Sequence, residues 1–114
     1  MDIQDSLRSL LEVQFGVKTR YHINRIASTV GTSATKLVNN DPKRIGLTIV
    51  NLSASDMYVA PDNLASSSRG IFVGAYGGNM SLVWNEDFGL LGNEWWAVAG
   101  SASSDVYVVE VLLI

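Results

Sequence analysis

Residues able to do chemistry are few in this chain and far apart. His22 is the sole histidine, and there is no cysteine. A hydrolase or transferase needs a nucleophile beside a base, or two placed carboxylates. His22 has no such partner at a recognisable spacing, and no G-x-S-x-G turn occurs. A solvated or interface histidine is the plainer reading. Without cysteine, disulfides and thiolate zinc sites are excluded. Glu86 and Asp87, with Glu94 close by, form one acidic cluster. Carboxylate oxygens suit Ca²⁺, but the alternate-position spacing of an EF-hand loop is missing, so a solvated loop is expected. Gly77-Gly78 lacks the lysine and hydroxyl of a phosphate loop and reads as a hairpin turn. Ser66-Ser67-Ser68 reads as a flexible loop first and a binding loop second. The expectation is a protein that is not an enzyme and carries no catalytic, cofactor or metal residues.

What remains is chemistry of contact. Trp95 and Trp96 are adjacent, so in a strand they point to opposite faces. One is expected in the core and the other on the outer face. There it has three readings: covered by the N-terminal segment, part of a protein interface, or a platform for sugar rings. Trp84 alternates with Leu82 and Met80 and is assigned to the core. Leu7, Leu10 and Leu11 share one face with Ile3. This stripe docks on its own domain or reaches a neighbouring subunit. The candidate interface residues are Leu7, Leu10, Leu11, Trp95 and Trp96.

The elements that position these residues follow from periodicity. Asp2 to Phe15 predicts a short α-helix of roughly 21 Å at 1.5 Å per residue. Asp2 and Asp5 sit in its first turn, where acids are favoured, and Gly16 stands at its stop. Val17 to Thr35 reads as a connecting arm with one weak strand, in which Arg20, His22 and Asn24 alternate with Tyr21, Ile23 and Arg25. From Thr35 onward short strands recur about every 10–12 residues with turn residues between them. Arg44 to Leu52 is expected to put Ile45, Leu47 and Ile49 on one face and Arg44, Gly46 and Thr48 on the other. The predicted fold is all-β: an antiparallel β-sandwich of about seven or eight strands, with a jelly roll as one form of it, behind a short N-terminal α-helix. The predicted division is 1–34 for helix and arm and 35–114 for the sandwich.

The closing strand, Val106 to Ile114, is apolar on both sides. Tyr107, Val109, Val111 and Leu113 make one face. Val106, Val108, Leu112 and Ile114 make the other, interrupted by Glu110. A half-exposed strand alternates apolar with polar, so cover is expected on both faces, from the N-terminal helix or from a neighbouring subunit.

Bulk composition agrees with a surface that meets protein. Charged residues are 17% of the 114, against about 25% in soluble domains. Apolar residues are 47%, and mean hydropathy is +0.19. The net charge of −3, with eight scattered basic residues, argues against nucleic acid. No apolar run approaches the roughly 18 residues of a membrane span. Asp2 and Asp5 stand where a signal peptide carries positive charge, so no membrane or secretory route is expected.

The stretch Asn40-Asp41-Pro42-Lys43-Arg44-Ile45-Gly46-Leu47-Thr48-Ile49-Val50-Asn51-Leu52-Ser53, followed by Met57-Tyr58-Val59, resembles a pattern found in small β-sandwich proteins of tailed bacteriophage particles. Trp96 to Ser101 through Asp105 to Glu110 resembles the closing hairpin of those proteins. The likeness spans roughly Thr35 to Leu112. The tryptophan doublet and the N-terminal segment depart from the pattern. The resemblance implies a structural virion protein assembled in the host cytoplasm. It implies a capsid decoration (cement) subunit that binds neighbouring shell proteins as a homo-oligomer or lattice. The other reading is a tail, baseplate or head-fibre component that binds carbohydrate or a receptor.

Overall fold

The computed structural model describes residues 19–83 and 88–113. The helix expected over 2–15, and with it Leu7, Leu10 and Leu11, lies outside them, as do Trp84, Glu86 and Asp87.

The described residues fold as two antiparallel sheets around one apolar core. In chain order the strands are β1 (Thr19–Ile23), β2 (Thr29–Val30), β3 (Thr35–Val38), β4 (Arg44–Asn51), β5 (Met57–Ala60), β6 (Ile71–Val73), β7 (Asn79–Val83), β8 (Trp95–Ala99) and β9 (Ser104–Leu113). One sheet runs β1-β9-β4-β7, with β2 also paired to β9; the other runs β3-β8-β5-β6. β5 pairs with β6, β4 with β7, β3 with β8 and β1 with β9. That is one long hairpin rolled into a sandwich, the jelly-roll arrangement.

The nine strands occupy eight lanes. β1 lies along Val109 to Leu113, and β2 continues the same edge along Ser104 and Asp105. Asn24 makes the break, with a positive φ of 45°. Its Oδ1 accepts from the Val108 amide at 2.7 Å, and its own amide donates to the Val108 carbonyl. Positive φ is tolerated best by Asn and its kin outside Gly. The stretch read as a connecting arm thus supplies an edge of the larger sheet.

Two turns placed correctly by sequence have a different connectivity. Tyr76 and Gly77 both have positive φ, 59° and 102°. A Cβ on Gly78 would lie 2.3 Å from the Gly74 carbonyl oxygen, so only glycine fits. Yet β6 and β7 lie in different sheets, so this turn crosses the sandwich and closes no hairpin. The same holds for Gly100 to Ser103 between β8 and β9. Turn chemistry marks where a chain reverses, not which sheet it re-enters.

The core gathers Leu37, Leu47, Ile49, Met57, Val59, Val73, Leu91, Trp95, Val106 and Val108, all at most 2% exposed. Arg44 is buried with them, contrary to the outward position expected. The register shifts between Arg44 and Gly46. Ile45 is the extra residue of a bulge, which turns Arg44 inward. Glu110, read as the interruption of one apolar face of the closing strand, lies on the core side of β9 opposite Leu47. Its carboxylate accepts from Nε and Nη2 of Arg44, both at 3.0 Å. Arg44 Nη1 also donates to the Leu91 and Asn93 carbonyls, and Nη2 to that of Asn39. The guanidinium therefore ties two strands to two loops. Asn51, fully buried at the other end of β4, donates to the Ser55 and Val73 carbonyls and so joins the two sheets.

Candidate functional site

Among the sequence-predicted contact residues, the tryptophans divide as expected. Trp95 is in the core, and its indole N–H donates to the Leu90 carbonyl at 3.0 Å. Trp96 is half-buried on the outer face of the smaller sheet, with Lys36 Nζ 5.4 Å from its ring centroid. Lys36 also pairs with Glu94 at 3.2 Å. The Trp96 ring is thus already engaged on one side by the chain's own cation, and its indole N–H is buried without a hydrogen-bond partner among the described residues. Glu94 is occupied by Lys36, and no three His, Asp or Glu side chains gather to hold a metal among the described residues. His22 is half-buried on β1, opposite Glu110 in register, and its Nε2 is enclosed without a hydrogen-bond partner among the described residues.

Two surfaces stand out instead. The first is the outer face of the larger sheet. Register places Tyr21, Val111, Gly46 and Val83 in one row across four strands. Ile23, Val109, Thr48 and Ser81 form the next row, and Tyr107, Val50 and Asn79 the third. Tyr21 is 55% exposed, Ile23 44%, Val83 45% and Tyr107 38%. Val50, Val109, Val111 and Leu113 are half-buried among them. These three rows carry no charged residue. A solvated sheet face carries polar residues at such positions. The second face of β9, expected to be covered, is therefore half-buried, with Tyr107 reaching solvent.

The second surface is an open cleft of about 830 Å³ over the smaller sheet. Tyr58 and Val98, paired across β5 and β8, form its floor. Tyr58 also packs against Phe72 with ring centroids 5.6 Å apart and a 59° tilt. Thr32, Ser33, Asp56, Asn63, Ser66 and Ser67 supply polar walls. Asp56 is oriented by the Ala75 amide, which donates to its Oδ1 at 3.1 Å. The loop bearing Asn63 and Ser66 is closed by Arg69 donating to Asp62 at 2.8 Å. That bond, with a further one from the Leu64 amide, holds the Asp62 carboxyl below its ordinary value and raises Arg69.

The sequence marked each surface only in part, through the Tyr107, Val109 and Val111 face of the closing strand and through the Ser66-Ser67-Ser68 loop. Tyr21 and Ile23 fell in the connecting arm, although their alternation with Arg20 and His22 is the signal of an edge strand. Asp56 and Asn63 lie on opposite sides of β5, and no spacing rule joins them. A scan against protein-family models, a search of curated proteins and a search of solved structures each return no match.

Proposed function

We propose that this protein is a structural subunit of a virus particle, a decoration subunit of a phage head that binds neighbouring shell proteins through the outer face of its larger sheet. The observation that carries the contact half of this reading is the uncharged row structure of that face. Tyr21, Ile23, Val83 and Tyr107 rim it, and β-branched residues fill it. Interface centres are depleted in charge and enriched in tyrosine. Each square ångström of apolar area removed from water contributes roughly 25 cal/mol, and many copies on a lattice add their weak contacts together. The virion half of the reading rests on the resemblance of Asn40 to Val59 and Trp96 to Glu110 to phage particle proteins. The jelly roll is a fold that shell proteins use, an analogy of architecture alone.

The test is co-sedimentation with head shells assembled without this subunit. Saturable binding at a fixed number of copies per shell supports the reading. A protein that stays in the supernatant at all concentrations removes it.

A further inference from the structure

We infer that the cleft over the smaller sheet binds a neutral saccharide, with Tyr58 as the stacking floor and Asp56 and Asn63 as hydrogen-bonding walls. This does not rest on the assembly reading, because the cleft lies on the opposite sheet from the proposed contact face. Its volume of about 830 Å³ falls in the range of roughly 300–1,000 Å³ typical of small-molecule sites. Among the described residues the lining contains no Lys, Arg or His and one carboxylate, Asp56. Phosphates, nucleic acid and acidic sugars therefore meet no positive charge, and they meet repulsion from Asp56. The remaining polar groups are neutral. The side chains of Thr32, Ser33, Asn63 and Ser67 and the Tyr58 hydroxyl form no hydrogen bond to another described residue. Hydroxyls, an amide and a carboxylate offer both donors and acceptors at several angles, which is what a ring of hydroxyl groups requires. The apolar C–H face of a sugar ring complements the face of an aromatic side chain, and Val98 extends that floor. The Phe72 ring, tilted against Tyr58, holds the floor in place.

The experiment is a titration of the full chain with glucose, galactose and N-acetylglucosamine and their short oligomers, followed by amide chemical-shift changes. Saturable changes confined to residues 31–34, 55–58, 63–67 and 98–100 are expected for at least one neutral sugar. N-acetylneuraminic acid and inorganic phosphate are expected to cause none. Asn63→Ala, at an exposed loop position, is expected to weaken binding about tenfold, the loss of one contact worth about 1.4 kcal/mol. Tyr58→Ala should abolish binding, and Tyr58→Phe should retain most of it, which separates stacking from any loss of folding. No saturable change with any neutral sugar, changes located elsewhere, or an Asn63→Ala protein that binds as tightly as the wild type would overturn the inference.

Discussion

The two sheets of this sandwich wear opposite outer surfaces. The larger sheet turns outward three rows without a charge, rimmed by Tyr21, Ile23, Val83 and Tyr107. The smaller sheet turns outward a tryptophan under a lysine, an ion pair between Lys36 and Glu94, and a hydroxyl-lined cleft. The contrast is sharper because the larger sheet does carry charges, on its inner side. Arg44 and Glu110 are 1% and 3% exposed and bonded to one another. Polarity is therefore distributed by role. The inner pair links β4 to β9, and the three uncharged outer rows, which end at the exposed Asp105, leave a surface suited to protein contact.

The largest expected effect tests the inner half of this contrast. Arg44→Ala leaves Glu110 buried without its cation, which costs about 3–5 kcal/mol. Near two-state unfolding, that is a fall of well over 10 °C in Tm for a domain of about this size. Replacing both partners, as Arg44→Met with Glu110→Leu, should recover part of the loss, since apolar isosteres often match a buried pair but the Leu91, Asn93 and Asn39 carbonyls still lose their donor. Thermal unfolding of the two variants decides whether the pair is structural.

The next effect tests the outer half. Ile23→Lys with Tyr107→Lys changes two exposed positions of the apolar face and should cost no more than about 1 kcal/mol of stability. The same pair should abolish association with shells. Phe72→Lys, 58% exposed on the other sheet, should leave association intact. Parallel sedimentation of these variants breaks the comparison if both faces respond alike.

The smallest effect concerns the loop beside the cleft. Asp62 has a lower pKa folded than unfolded, because Arg69 and the Leu64 amide favour its charged form. Its contribution is present above the unfolded value of 3.8 and is lost as pH falls through the lowered folded value. The pair is exposed, so Asp62→Asn should move the unfolding midpoint at neutral pH by an amount near the measurement error. What it should remove is the acid-side change in amide exchange of Leu64, which a pH series of exchange rates reads directly.

How much of this was legible beforehand differs by level. The all-β class, the sandwich and the opposite facing of Trp95 and Trp96 follow from period-2 alternation, which is local. Arg44 did not, because a single bulge residue, Ile45, inverts the side on which it lies. Glu110 did not, because a carboxylate on a core face makes sense only once its cation, 66 positions earlier, is known. The crossings after β6 and β8 did not, because pairing across sheets is a long-range choice. The contact face was half legible. Tyr107, Val109 and Val111 were read as needing cover, whereas Tyr21 and Ile23 join them only through pairing of β1 with β9. Of the cleft only the Ser66-Ser67-Ser68 loop was marked, since Asp56, Asn63 and Thr32 meet only when three loops converge over Tyr58.

The most direct test of the contact face compares the wild type with Ile23→Lys/Tyr107→Lys in one co-sedimentation series on shells lacking the subunit, with Tm measured on the same samples. Saturable pelleting of the wild type alone, at closely similar Tm, is the predicted result. Equal pelleting of both proteins, or of neither, would contradict a role for the uncharged sheet face in assembly.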